Sequence, residues 1–364
     1  MKKIRILLTT AGGGNANNLV RSLKKTSDDF FIIGTNISKF ELAKSLTDKN
    51  YLVPKFNSDE YLSAMKEIIS REEIDFCIPN HEFEIQRIVN SEDSTLLSKC
   101  FLPSKDTVNL CVDKSKLIET LSRRQMHVPK SIDLHSYDDI GESFDALKIG
   151  DDFPVWCRLR RGSASAGAAP VYSKEEACFW IKYWEMHRGV SISDFMMSEY
   201  LPGRDHHFFG LWKNGELITS KSIQRLEYVC SKYTLSGTSS SPSLCKLVND
   251  KEVLTTSLAC VKAIDPKAQG LFGIDFKGNI DDEPYLTEIN IGRFPRINYI
   301  FNLVGDNIAR RYVDCGLKND VQPIDHKSPP RPEYYLIRDF DSSPVLKSED
   351  EINRNFFSLR TDTH

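Results

Sequence analysis

Phe272-Gly273-Ile274-Asp275-Phe276 and Tyr285-Leu286-Thr287-Glu288-Ile289-Asn290 flank a polar turn, Lys277-Gly278-Asn279-Ile280-Asp281-Asp282, and their reading decides the fold. Both runs have the apolar content of half-buried strands, and the glycine-bearing turn between them predicts a hairpin. Symmetric pairing about that turn sets Asp275 opposite Leu286, with Glu288 one diagonal step away on the same face. Strand side chains alternate with period two, so Asn290 shares that face with Glu288. Acids brought together repel unless a positive charge lies between them. Hard divalent cations take oxygen ligands, and Mg²⁺ is typically held by one or two carboxylates plus substrate phosphates. Arg293 and Arg296 follow at once, and a metal site flanked by Arg suits phosphoryl transfer. A solvated hairpin with its acids outside and Arg as counter-charge fits the spacing equally well.

Further strands are expected upstream, at 153–159, 195–200, 206–212 and 217–223, with a helix over 173–186 that opens on a Ser-x-x-Glu capping box. Residues 1–110 alternate short apolar runs at 4–8, 30–33 and 74–78 with a helix over 60–72, capped by Ser58 or Asp59. Strands separated by helices mean βαβ units and a parallel sheet, whose ligands bind at the carboxyl ends of the strands. Thr10-Ala11-Gly12-Gly13-Gly14-Asn15 lies at such an end. A dinucleotide fingerprint asks for glycine at position 17 and a carboxylate at position 36; the chain has Asn17 and Asn36, which argues against a nicotinamide enzyme. The turn reads either as a tight turn alone or as one edge of an acceptor site.

The 48 Lys and Arg against 51 Asp and Glu leave a formal charge of −3, which argues against a partner that is a nucleic acid. No apolar stretch reaches the ~20 residues of a membrane helix, and the nine cysteines form no C-x-x-C pair, the usage of a reduced cytoplasm. His81-Glu82-Phe83-Glu84-Ile85 is not H-E-x-x-H, so a zinc protease is excluded. His206 and His207 are adjacent in a strand, point to opposite faces and cannot both line one site. Both are read as structural or surface residues.

Five stretches in order resemble the motifs of the ATP-grasp ligases, in particular the group built like half of the carbamoyl-phosphate synthetase large subunit. These are Asp113-Lys114 after Pro103-Ser104, Gln125 through Pro129, Phe153 through Arg158 with the small-residue loop 162–168, Ser198 through Asp205, and Gly273 through Phe276 with Glu288-Ile289-Asn290. The resemblance covers 1–318 and implies an α/β fold. A parallel-sheet pre-ATP-grasp domain (1–110) precedes an ATP-grasp domain (111–318) with a small central subdomain near 128–198, and 319–364 is a tail or small extension.

It also implies the site. Adenine would lie against Glu199, Tyr200 and Leu201, and Asp205 would accept from the ribose. Lys114 and Arg158 (Arg where most of the family has Lys) would neutralise phosphates, with Gly162, Ser163, Ser165 and Gly167 closing over them. Asp275, Glu288 and Asn290 would hold one or two Mg²⁺, or Mn²⁺ in their place, and Arg293, with Arg225, would stabilise the developing oxyanion. Glu84 matches a position often acidic in related ligases, and reads equally as a surface charge. The implied reaction activates a carboxylate as an acyl-phosphate and couples it to an amine, in a cytoplasmic enzyme that admits a homodimer. A regulatory ATP-binding module and a bicarbonate-dependent carboxylation are the rival readings.

Overall fold

Strand β1 (Ile4–Leu8) is an apolar run broken only by Arg5, and its last three side chains are fully buried. In the computed structural model, which describes residues 3–26, 29–162, 165–234, 237, 241–317, 320–324, 334–339 and 345–353, β1 pairs in parallel with β2 (Phe30–Asn36). Strand β3 (Lys49–Leu52) extends the sheet beyond β2, and β4 (Phe76–Ile78) lies on the other side of β1. The order β3-β2-β1-β4 is that of successive βαβ crossovers. Strand β3 escapes sequence reading because it is an edge strand whose residues are mostly exposed, so it has no burial pattern. The Tyr61–Arg71 helix buries Met65, Ile68 and Ile69 as its spacing predicts, with Tyr61 fully buried where the spacing pointed to Leu62, which is only partly buried. Its cap is corrected: Glu60 takes the cap position without a side-chain bond, because the Ser58 hydroxyl is tied to the Glu60 carboxylate.

A second sheet, antiparallel, has the order β5-β8-β6-β7, from β5 (Ser131–Asp133), β6 (Val155–Leu159), β7 (Ala169–Val171) and β8 (Phe195–Ser198). The Lys174–Arg188 helix packs on it. Ser173 accepts the Glu176 N–H as expected, while the Glu176 carboxylate takes the N–H of Tyr172, 2.7 Å away. This unit has its own core, built on Leu134, Phe144, Val155, Cys157, Phe195 and Met197.

The third sheet has seven strands in the order β13-β12-β9-β10-β11-β14-β15. They are β9 (Asp205–Lys213), β10 (Glu216–Tyr228), β11 (Pro242–Val248), β12 (Gly270–Gly278), β13 (Pro284–Ile291), β14 (Tyr334–Ile337) and β15 (Val345–Ser348). The last two strands come from the C-terminal segment, whose described parts therefore extend this sheet. Apolar side chains of the first sheet and of the seven-stranded sheet share common cores: Phe76 packs against Tyr312, whose hydroxyl bonds the Phe101 carbonyl at 2.9 Å. This is the α/β architecture the sequence implies. No helix among the described residues is long and apolar enough to cross a membrane.

The decisive hairpin forms, in a register other than the symmetric one. The turn shifts the pairing by one residue, so that Phe276 faces Leu286, and a bulge next to Asp275 shifts it by one more. Each slip alone would turn Glu288 to the far face. Together they preserve the face and set Asp275 directly opposite Glu288. Thr287, the extra residue, donates its hydroxyl to the Asp275 carbonyl at 3.1 Å.

Candidate active site

A cavity of about 640 Å³ is lined by residues from all three sheets and their loops. Its floor is the face of the seven-stranded sheet that carries Asp205 and His207 on β9, Arg225 on β10, Asp275 on β12, and Glu288 and Asn290 on β13. Arg225 ties this floor together: it donates to Asp205 at 2.9 Å and to Asp275 at 2.6 Å. Tyr228 donates to the second Asp205 oxygen. His207 Nδ1 lies 2.6 Å from Asp275 Oδ1. Burial alone would raise the Asp275 carboxyl, but Arg225 and His207 outweigh it and hold it well below the usual carboxylate range.

Asn290 spans the two acids. Its amide nitrogen donates to Asp275 at 3.0 Å and to Glu288 at 3.4 Å, and its oxygen accepts from Arg293. Lys114 lies 3.4 Å from the other Glu288 oxygen and donates to the Gly162 carbonyl at 2.6 Å. The donor set fits Mg²⁺ on chemical grounds. Two carboxylates and an amide are hard oxygen ligands, and the Asn290 NH₂ occupies the electropositive position between them that a cation would take once the amide turns. Among the described residues no group of three or more His, Cys, Asp and Glu side chains is arranged to hold a metal, so such an ion would depend on substrate oxygens to complete its shell.

Above the floor, Arg158 on β6 donates to the Thr287 carbonyl at 3.1 Å, so the bulge residue anchors it. Its Nε is buried with no hydrogen-bond partner among the described residues, although it lines the cavity. An anion in the cavity would satisfy that donor. At the far end Glu199, Tyr200 and Leu201 form the connection between β8 and β9. The Glu199 N–H bonds the Lys130 carbonyl at 2.9 Å and its carboxylate takes the Lys130 N–H at 2.8 Å, while Phe153 stacks on Tyr200.

Of the residues singled out in the sequence, Lys114, Arg158, Gly162, Ser165, Glu199, Tyr200, Leu201, Asp205, Arg225, Asp275, Glu288, Asn290 and Arg293 all line this cavity. Gly167 is outside the lining; its φ of +66° turns the loop behind the wall, where Trp180 donates to its carbonyl at 2.9 Å. Ser163 lies outside the described residues. Two readings are corrected. His207, set aside as structural or surface, is part of the floor. The alternation that separates it from His206 also puts it on the face of Asp205, and that was the available signal. Glu84 is no surface charge: it is 4% exposed and accepts from Thr9 at 2.5 Å and from Tyr61. At the glycine-rich turn, Gly13 and Gly14 line the cavity, whereas Gly12 is required for steric reasons, as a Cβ there would lie 1.7 Å from the Glu41 carbonyl oxygen.

Residues 6–99 match the family described as PylC-like, N-terminal domain. No curated protein sequence matches the chain at a significant level. Among solved structures, the L-amino acid ligase of Bacillus licheniformis is similar with a TM-score of 0.69 at 11% identity, over 93% of this chain and 80% of that one. A biotin carboxylase of Campylobacter jejuni gives 0.72 at 16% identity, over 92% and 76%. The N5-carboxyaminoimidazole synthetase of Staphylococcus aureus, complexed with ADP, gives 0.69 at 12% identity, over 93% and 83%. At these identities the likeness is one of fold.

Proposed function

We propose, from the premise that the chain has the fold of the ATP-grasp ligases, that it is an ATP- and Mg²⁺-dependent ligase joining a carboxylate to an amine. One observation carries this reading: the acids Asp275 and Glu288 and the cations Lys114, Arg158 and Arg293 line a single cavity, between the 199–201 connection at one end and the first sheet at the other. In this reading Tyr200 and Leu201 bound the adenine, and Asp205 receives the ribose hydroxyls once it exchanges a partner. Lys114 and Arg158 neutralise the phosphates, with Gly162 and Ser165 in the loop above them. Asp275, Glu288 and Asn290 would hold Mg²⁺, whose chemistry there is to neutralise phosphate charge.

The γ-phosphoryl group passes to the carboxylate oxygen, giving ADP and an acyl-phosphate. The amine lone pair then attacks the acyl carbon. The C–N bond forms, the C–O bond to phosphate breaks, and phosphate leaves with that electron pair and takes up the proton that nitrogen loses. Arg293 faces the developing negative charge, with Arg225 as the counter-charge beneath.

The test is a screen of carboxylates and amines for stimulated nucleotide cleavage. ADP and phosphate should appear only when a matching acid and amine are both present. AMP and pyrophosphate would refute the acyl-phosphate route, and a requirement for bicarbonate in place of an amine would move the reaction to carboxylation. Glu288→Ala should fold normally and lose at least about a hundredfold in turnover, since one charged stabiliser of a transition state is commonly worth that much.

A further inference from the structure

The cavity continues past Arg293 to a wall supplied by the first sheet, which the nucleotide and phosphate roles above leave unused. Asn80, His81 and Glu82 follow β4 there and open the Glu82–Ser91 helix. Glu82 is 9% exposed, and among the described residues no hydrogen bond or ion pair reaches its carboxylate. Arg293, Lys114 and Arg161 are the cations near it and Glu288 the acid; burial still outweighs the cations and raises its carboxyl. The helix dipole favours an acid in a first turn, but it does so equally for one left in water. It does not account for a carboxylate that is nine-tenths buried at the cavity wall with no protein partner among the described residues, a state that a ligand cation would relieve.

Two further features point to a ligand. His81 Nδ1 is buried without a partner among the described residues, and burial together with Arg293 lowers the His81 pKa, leaving the ring neutral at pH 7. With its proton on Nε2, Nδ1 is an unused hydrogen-bond acceptor in the residue that precedes Glu82. The wall is also rigid. Glu84 accepts from the Thr9 hydroxyl, whose oxygen in turn accepts the Asn80 N–H at 2.9 Å, so the segment is fastened from behind.

We infer that Glu82 is the recognition residue for the ammonium group of the acceptor substrate. The acceptor class is therefore a primary amine that arrives as a cation and loses one proton to solvent before its lone pair attacks the acyl carbon. This assignment rests on the ligase reading for the fate of the bound amine, though not for its binding.

Two measurements test it. In a thermal-shift series with ethylammonium chloride, 1,4-butanediammonium chloride and the common amino acids, at least one amine should raise the melting temperature of the wild type. Glu82→Gln, which keeps the shape and removes the charge, should abolish that rise, and Glu82→Asp should keep part of it. A wild type stabilised by none of them, or a Glu82→Gln protein stabilised as fully as the wild type, overturns the assignment with no turnover needed. Where turnover is found, Glu82→Gln should raise the amine KM at least about tenfold and shift the ATP KM by less than about twofold. Equal shifts in both would mean a general disturbance of the cavity and would also overturn it. Absence of ADP release with every acid and amine would instead remove the ligase reading and leave the thermal-shift result to decide Glu82.

Discussion

Arg225 and Asp275 form a buried charged pair whose worth depends on both members being present, and the adjoining Asp205, Tyr228 and His207 extend it into a network. Breaking such a pair leaves an uncompensated charge away from water. Arg225→Met should therefore destabilise the protein by about 3 kcal/mol in urea unfolding. The same network sets an acid sensitivity. The folded Asp275 carboxyl lies well below its unfolded value, so the folded state binds this proton less readily. Its contribution is fully present above the unfolded value of about 3.9 and is lost as pH falls below it. The urea midpoint should drop between about pH 5 and pH 3, and by less in Arg225→Met. No drop in the wild type would contradict the pairing.

At the scale of elements, the β1 turn and the β12–β13 hairpin show what a local reading captures. Gly12 has a φ of +87°, and any Cβ would collide with the Glu41 backbone, which packs there only because the first sheet folds. Gly12→Ala should cost more than about 1 kcal/mol. Gly14, where a Cβ meets nothing within 4 Å, should accept alanine with a change within about 0.5 kcal/mol. Equal losses at both glycines would show that the glycines act through chain flexibility and not through contact. In the hairpin, period-two alternation puts Glu288 and Asn290 on one face of their strand, and Asp275 joins that face because two one-residue slips cancel. The pairing partner was not legible. It depends on a bulge that anchors Arg158 through the Thr287 carbonyl, a contact from a strand more than a hundred residues away in sequence.

For the whole molecule, the cavity joins units whose cores differ. The first sheet and the seven-stranded sheet share apolar clusters, whereas the β5–β8 unit has a core of its own. In the proposed reading a nucleotide bound between them would contact both bodies and stabilise the folded state by mass action. Mg²⁺ and ATP at a hundred times the dissociation constant should add about 2.7 kcal/mol. The rise in melting temperature should fall when the metal is chelated, and an identical rise with and without metal would remove the Asp275–Glu288–Asn290 assignment. The strands β1, β2, β6, β9, β10, β12 and β13, the last two as the hairpin that carries the acids, were legible in the sequence, because burial periodicity and turn chemistry are local properties. The run at 334–340 also reads as a strand and forms β14, whereas edge strand β3 gave a weaker pattern, since edge positions bury little. What the sequence by itself determined is the α/β alternation, a hairpin that carries the acids and the basic residues that answer them. Only the tertiary structure decided that His207 joins the floor, that Glu84 is buried and bonded, and that Glu82 is buried and unpaired. The reason is physical: a side chain's solvation and partners are set by the elements packed against it, and those come from distant parts of the chain.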